Sequence, residues 1–157
     1  MATITARPPA RPAIPRLTPR PTGRPGYSMT LERTEESAAV ARRATRTTMQ
    51  CWGLPEETTD AAVAIVSELA TNVILHARTG GMRLIYELPA RDRVLIAVVD
   101  RDARRLPRMR TPDPGADQTG RGLALVDALS DRWGYDRLGS KPWGKRVWAE
   151  LRADGEQ

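Results

Sequence analysis

The spacing of apolar residues predicts two helices in the first half of the chain. Small and apolar side chains recur every three or four positions between residues 35 and 52, with arginines at other positions, as is typical of an amphipathic helix. Gly53 marks its end. A second, more apolar helix is predicted from about Asp60, as its N-cap, to about His76.

Strands are predicted mainly in the second half. The β-type runs at 82–88 and 93–99 are joined by a short polar segment and predict an antiparallel hairpin. Residues 101–119 are rich in prolines and charges, which predicts a long loop and a candidate lid. The other predicted elements are an edge strand at 27–33, a helix at 123–129 and strands at 132–138 and 146–151. This order predicts an α+β fold, a two-layer sandwich with helices on one face of a mixed, mostly antiparallel sheet.

Composition divides the chain into a basic tail and one domain. The 157 residues carry a net charge of +6, of which the five arginines of residues 1–26 supply +5. Those residues also hold seven prolines and no acid, so the sequence predicts a disordered tail there. We assign residues 27–152 to a single folded domain and 153–157 to a C-terminal tail.

The same features bear on partners and location. The sequence contains no long uninterrupted apolar run, so we expect neither a membrane span nor a secretory signal. Cys51 is the single cysteine, which excludes a disulfide within the chain and fits a cytoplasmic protein. Nucleic-acid binding would rest on the basic tail alone, because the domain is nearly neutral, and no direct contact with nucleic acid is expected.

The second helix carries the first candidate for chemistry. Glu68 is the only residue charged at neutral pH between Ala61 and Ala77, and Glu68, Asn72 and His76 are spaced four apart on one stripe. The stripe could simply face solvent, but solvent-facing helices usually carry several long charged side chains. A face lining a cleft fits better. There Glu68 could accept a proton and the Asn72 amide could supply an oxygen to Mg²⁺, with His76 structural.

Two further sites have polar groups that suit a nucleotide. Gly120, Arg121 and Gly122 stand just before an apolar helix, where backbone N–H groups and the helix dipole attract an anion. A glycine pair before a helix is also a common turn, and Arg121 could reach a terminal phosphate or be solvated. Asp100 ends an apolar strand, where its carboxylate could accept a hydrogen bond from an exocyclic amine or cap the strand.

Four motifs in this order resemble a known family. They are Ser67-Glu-Leu-Ala-Thr-Asn72, Val98-Val-Asp100, Gly120-Arg-Gly-Leu-Ala-Leu125 and Gly144-Lys-Arg-Val-Trp148. Over about residues 28–151 the chain resembles the GHKL ATPases, and most closely the bacterial anti-sigma-factor serine kinases and similar actinomycete ATP-binding regulators. The resemblance implies a Bergerat ATP-binding fold.

The resemblance also implies roles for particular residues, with ATP and Mg²⁺ as ligands. It implies that Glu68 is the general base, that Asn72 binds Mg²⁺ and that Asp100 reads the adenine amino group. The implied phosphate-binding segment consists of Gly120, Arg121, Gly122 and Leu123.

The chain departs from the family pattern in two segments near the residue expected to contact the base. Asp102 and Arg104 stand where the family has glycines after the strand aspartate, and Lys145 and Arg146 stand where a threonine is usual. These departures bear on how the nucleotide is held.

The leading hypothesis is an ATP-dependent serine/threonine-protein kinase that phosphorylates a serine of an anti-sigma antagonist and sequesters a sigma factor. The alternative is a non-catalytic ATP-sensing module that binds a partner protein. Homodimer formation is left open.

Overall fold

The computed structural model describes residues 15–77, 80–102, 122–139 and 143–153. In this part of the chain, three helices and six strands follow one another along the sequence. They are β1 (Thr18–Pro19), β2 (Gly26–Leu31), α1 (Glu35–Cys51), α2 (Glu56–His76), β3 (Met82–Ala90), β4 (Arg93–Asp100), α3 (Gly122–Leu129), β5 (Arg132–Arg137) and β6 (Lys145–Arg152).

The described strands form one sheet in the order β1-β2-β3-β4-β6-β5, and all their pairings are antiparallel. The predicted hairpin is β3–β4. The chain then passes through α3 to the edge strand β5 and returns as β6, which pairs between β4 and β5. Since the helices pack on one face of the sheet, the predicted α+β sandwich is confirmed, although no parallel pair occurs among the described strands.

Side-chain alternation divides the sheet into two apolar faces of unequal size. On β4, Val94, Ile96 and Val98 belong to the main core beneath the helices. Their neighbours face the other way, into a small cluster: Ile85, Ala97 and Val99, covered by Leu138, Trp143 and Trp148. The helix-bearing face therefore holds most of the apolar burial that stabilises the domain.

The end of α1 follows from one glycine. Gly53 has a φ of 69°, a left-handed conformation that glycine adopts without a Cβ clash. Its N–H donates to the oxygen of Gln50 at 2.9 Å, and the N–H of Leu54 donates to the oxygen of Met49 at 3.1 Å. These two bonds form a Schellman motif, which satisfies the last carbonyls of α1. The predicted helix end is confirmed.

The start of α2 was predicted four residues too late. The helix begins at Glu56, after Pro55, and Glu56 and Glu57 occupy its first turn, where acidic side chains interact favourably with the helix dipole. Asp60 is not an N-cap; its carboxylate instead pairs with Arg46 of α1 at 3.1 Å. An aspartate one turn inside a helix has the same local sequence signature as a cap, and the contact with α1 distinguishes the two.

By length and composition alone, α2 could cross a membrane. In the structure it lies on the sheet with contacts to α1, α3, β4 and β6. Eight of its residues, including Ile65 and Leu69, are buried. Its apolar composition is therefore that of the central core helix of the domain.

The predicted disordered tail is wrong for residues 15–26. Thr18–Pro19 pairs with β2, the Arg20 N–H donates to the oxygen of Gly26 at 3.0 Å, and the Arg20 guanidinium pairs with Glu87 of β3. Leu17 packs against the main core. Residues 1–14 lie outside the described residues. The partner that orders this segment is 67 positions away, so local composition could not reveal it.

Candidate functional site

One end of the sheet carries a row of residues, Leu31, Met82, Asp100 and Lys145, each directly opposite the next on neighbouring strands. We call these four residues the site row. Asp100 continues the alternation of Val98, so its side chain lies on the helix-bearing face. The site row therefore forms the floor of the sandwich at the end where β4 stops.

The C-terminal part of α2 reaches this same end. Arg33, two residues after β2, donates from Nη1 to the backbone oxygen of Ile74 at 3.1 Å. The connection from α2 into β3 is also tight, because a Cβ at Gly81 would lie 2.5 Å from the backbone oxygen of Leu31. These contacts fix the last turns of α2 above the site row.

Within α2, Glu68 and Asn72 lie away from α1. Arg42 of α1 donates to the hydroxyl of Ser67 at 3.3 Å, which marks the side of α2 that faces α1. At 3.6 residues per turn, Glu68 lies about 100° and Asn72 about 140° around the helix from Ser67. Both side chains are half-buried, and none of the described residues forms a hydrogen bond or ion pair with either. Within the described residues, a ligand would therefore displace no partner of these two side chains.

The start of α3 points toward the same end of the sheet. Only Ser130 and Asp131 separate the end of α3 from β5, and the Asp131 N–H donates to the oxygen of Glu150 at 2.9 Å, at the end remote from the site row. The end of α3 therefore lies at the remote end, and we expect its N-terminus to lie toward the site row. Gly122 begins the helix and Leu123 is buried in the core. The predicted phosphate-binding residues Gly120 and Arg121, and most of the predicted lid, fall outside the described residues.

Asp100 is held in a closed set of polar contacts. Its Oδ2 lies 2.9 Å from Nζ of Lys145, and its Oδ1 accepts from the Asp102 N–H at 2.8 Å. Lys145 also donates to the backbone oxygen of Asp102 at 2.9 Å. The side chains of Asp100 and Lys145 are only 2% and 9% exposed. Burial raises the pKa of Asp100, while the Lys145 ammonium and the Asp102 N–H act in the opposite direction.

Sequence reasoning missed the role of Lys145. Lys145 and Arg146, at the start of the last strand, were noted only as the loss of a threonine, whereas the structure shows the Lys145 ammonium bound to the carboxylate that was expected to read the base. The signal was present, because a lysine next to the start of an apolar strand must pair if it faces the core. Its partner could not be identified without the β4–β6 register.

A second charged cluster lies at the remote end of the sheet and is not the candidate site. It borders a cavity of about 600 Å³, lined by Arg93, Asp131, Arg132, Glu150 and Arg152. There Glu150 pairs with Arg93 at 2.5 Å and with Arg132 at 2.8 Å. Each guanidinium is paired with an acid, Arg93 and Arg132 with Glu150 and Arg152 with Asp131, and none of the residues predicted to bind nucleotide lies there.

Magnesium fits the cleft only in a particular way. Among the described residues, no three His, Cys, Asp or Glu side chains group as a metal site. Mg²⁺ commonly uses one or two protein oxygens and takes its other ligands from phosphates and water. The half-buried amide of Asn72, on a helix face with the carboxylate of Glu68, suits that mode of binding.

These features define a class of protein, an α+β sandwich in which a central helix with half-buried polar side chains packs on the sheet face that also holds a buried Asp100–Lys145 pair. The sequence profile of the histidine kinase-like ATPase domain matches residues 31–151. An uncharacterized protein of Streptomyces coelicolor is 37% identical over 79 residues, which are 48% of this chain and 73% of that protein. The chain belongs to the histidine kinase-like ATPase domain family, and this membership implies an ATP-binding domain.

Proposed function

We propose that the protein is an ATP-dependent serine/threonine-protein kinase of the anti-sigma type. It would bind Mg·ATP, transfer the γ-phosphate to a serine of an anti-sigma antagonist protein, and sequester a sigma factor in the cytoplasm. One observation carries the proposal. The half-buried Glu68 and Asn72 belong to the helix whose last turns contact the site-row end, and this helix packs on the face of the sheet that also holds the buried Asp100.

Each part of the cleft suits one part of the nucleotide. Asp100, at the floor, faces the base. The segment that enters α3, containing Gly120, Arg121, Gly122 and Leu123, would supply backbone N–H groups to the phosphates, with a positive charge from Arg121; Gly120 and Arg121 lie outside the described residues. The Asn72 amide oxygen would hold Mg²⁺, which when bound neutralises charge on the phosphate oxygens.

Glu68 is the residue suited to proton transfer. The serine hydroxyl oxygen attacks the γ-phosphorus, the bond from that phosphorus to the bridging oxygen breaks, and ADP leaves. The hydroxyl proton goes to the carboxylate of Glu68. Within the described part of the chain, no cationic side chain forms an ion pair with Glu68. Such a group can act as a general base.

A second function is favoured by the contacts of Asp100. Its carboxylate is bound to Lys145 at 2.9 Å and to the Asp102 N–H at 2.8 Å. It therefore has fewer hydrogen-bond acceptor positions left for a base than a carboxylate without these partners. A domain with a modified base site could bind ATP as a signal and hold a partner protein without phosphorylating it. In this alternative, Glu68 has no chemical role.

Transfer of labelled phosphate separates the two functions. Labelled ATP is incubated with the protein and candidate antagonist proteins, and phosphoserine is measured. Glu68→Gln retains the size and hydrogen bonding of the side chain but removes the proton acceptor, so transfer should fall roughly 10²-fold or more while ATP binding remains. Glu57→Gln, an exposed glutamate in the first turn of α2, is the matched control and should transfer at the normal rate.

The outcomes are distinct. Full-rate transfer by the Glu68→Gln variant would contradict the proposed base. ATP binding by the unaltered protein without transfer to any candidate or hydrolysis would support the sensing module instead. Size-exclusion chromatography with each candidate partner then measures whether ATP controls complex formation and whether the protein forms a homodimer.

A further inference from the structure

Strand β5 lies at one edge of the sheet. It pairs with β6 on one side, and no other strand of the described residues pairs with its second side. Four of its six residues are exposed, and one of them, Tyr135, is among the exposed large apolar residues of the domain. A free edge of this length offers its backbone N–H and C=O groups to a further strand.

The backbone of β5 turns alternate residues toward the free side. The N–H of Leu138, one residue beyond β5, donates to the oxygen of Gly144 at 2.9 Å and continues the register of the β5–β6 pairs. Successive residues of an antiparallel strand alternate in the direction of these groups. Trp133 and Tyr135 therefore direct their N–H and C=O groups away from β6, where a further strand can bond to them.

We propose that β5 pairs antiparallel with β5 of a second copy of this chain, about a two-fold axis at Gly134. In this register Trp133 lies opposite Tyr135 of the partner subunit, and their backbone groups bond to each other. Arg132 lies opposite Asp136 of the partner subunit. The two six-stranded sheets become one continuous sheet. This interface goes beyond the proposed ATP-dependent function and does not rest on it.

The sequence around β5 is self-complementary in this register. It reads Asp131-Arg-Trp-Gly-Tyr-Asp-Arg137, so acids meet bases at both ends and the aromatic residues meet next to the axis. Because side chains alternate between faces, a two-fold axis perpendicular to the sheet must pass through a residue. An axis at Trp133 or Tyr135 would place Arg132 opposite Gly134 or Leu138. Of these three registers, only the one at Gly134 pairs opposite charges, which stabilise directly opposed positions.

The charged side chains of β5 remain accessible to a second copy. Arg132 contacts Glu150 at 2.8 Å, yet its side chain is 66% exposed. Asp136 contacts Arg146 at 2.7 Å, yet its side chain is 48% exposed. A guanidinium has five donors and a carboxylate about four acceptor positions. Each side chain can therefore join the new pair without losing its present partner.

An aromatic ring lies beside the proposed axis on the face opposite the helices. A Cβ at Gly134 would lie 2.9 Å from Cζ2 of Trp148, so the indole lies directly against this glycine. Trp148 also covers the small apolar cluster of that face. Since the Gly134 residues of the two subunits face each other, the two Trp148 rings become neighbours. The apolar cluster then continues across the interface and adds buried area to the backbone bonds.

Sedimentation equilibrium over a range of protein concentrations tests the interface. The unaltered protein should dimerise in the micromolar range, because one pair of strands is a small interface. Tyr135→Pro removes an N–H that points away from β6, and edge strands tolerate proline at such positions. Self-association should weaken by roughly tenfold or more, while circular dichroism shows a folded monomer. Tyr135→Phe, the matched control, keeps the N–H and the ring and should dimerise normally.

Two results would overturn the interface. One is a monomer at every concentration of the unaltered protein. The other is a dimer that Tyr135→Pro leaves as strong as before, because such a dimer would use a different surface.

A charge exchange tests the register and decides the matter if the proline variant does not fold. Arg132→Glu alone and Asp136→Lys alone each place like charges opposite each other, so each variant should self-associate roughly fivefold more weakly or less tightly still. In an equal mixture the two variants place opposite charges in both cross-subunit pairs, and a heterodimer should form about as tightly as the unaltered dimer. A mixture that associates no better than the separate variants would overturn the proposed register and interface.

Discussion

Strand β6 holds a paired charge at each end, and the two pairs differ in every respect that matters for function. At the site row, Lys145 pairs with Asp100 on the helix-bearing face, and the two side chains are 9% and 2% exposed. At the remote end, Glu150 pairs with Arg93 and Arg132 on the other face, and these arginines are 35% and 66% exposed. The first pair is buried, whereas the arginines of the second pair are exposed to water.

The two carboxylates respond with opposite shifts. The pKa of Asp100 is raised because burial outweighs the stabilisation from Lys145. The pKa of Glu150 is lowered chiefly by the hydrogen bond from Arg132, with Arg93 adding to it and burial opposing it. Glu150 therefore gains from its ion pairs on folding, while the charge of Asp100 is less favourable in the folded protein than in water.

The difference supports a structural role for the Glu150 cluster and agrees with the proposed site at Asp100. A buried ion pair is a weak source of stability, since apolar residues of similar size often stabilise a protein as well or better. Carboxylates with raised pKa values also concentrate at functional sites. The Asp100–Lys145 pair thus adds little to folding, which agrees with the proposed ligand at the site row, whereas the Glu150 cluster joins β4, β5 and β6.

The largest contrast is expected when one cation is removed from each pair. Lys145→Met leaves Asp100 buried without its counter-ion, so the free energy of unfolding should fall by about 3–5 kcal/mol. Arg132→Met removes an exposed partner and should cost about 1 kcal/mol or less. Urea denaturation measures both. The double variant Asp100→Asn/Lys145→Met should recover part of the loss, because it leaves no unpaired charge. Equal losses in the two single variants would remove the distinction between the pairs.

A second contrast concerns ligand binding. Asp100→Asn removes the negative charge and replaces one acceptor oxygen with an amide donor at the proposed base contact, so the affinity for ATP should fall by roughly tenfold or more. Glu150→Gln changes a carboxylate at the far end of the sheet and should leave the affinity within about twofold. Isothermal titration at a temperature where both variants are folded makes the comparison. A similar loss in both variants would mean that the site row has no special relation to the nucleotide.

The smallest contrast is in pH dependence. The lowered pKa of Glu150 means that its contribution to stability is present above its unfolded pKa and is lost as pH falls through its folded pKa. The raised pKa of Asp100 gives the opposite sign: its contribution is present below the unfolded pKa and is lost as pH rises through the folded pKa. Acidification should therefore reduce the cost of Glu150→Gln and increase the cost of Asp100→Asn, each by about 1 kcal/mol or less. Parallel trends in urea denaturation between about pH 3 and 7 would refute this assignment.

Local patterns were enough for most of the fold. The apolar spacing of α1, the glycine at its end and the β3–β4 hairpin are short-range features, and their observed bounds agree closely with the prediction. The errors arose where a residue distant in sequence determines the local structure. Asp60 pairs with Arg46 on another helix, and Arg20 pairs with Glu87 on another strand.

The candidate site also has one part that the local sequence predicts and one part that it does not. The helical spacing of Glu68 and Asn72 is visible in the sequence, and their roles remain predictions. The pair between Asp100 and Lys145 joins residues 45 positions apart, and it depends on β6 inserting between β4 and β5. No local pattern specifies that register.

The central claim is that the cleft beside Asn72 binds Mg·ATP, and isothermal titration tests it most directly. Asn72→Ala should lower the affinity by roughly tenfold or more while changing the free energy of unfolding by less than about 1 kcal/mol, because a half-buried amide adds little packing. Ser67→Ala, on the α1 side of the same helix, is the matched control and should bind normally. No heat of binding with the unaltered protein, or equal loss of affinity in the two variants, would contradict the account.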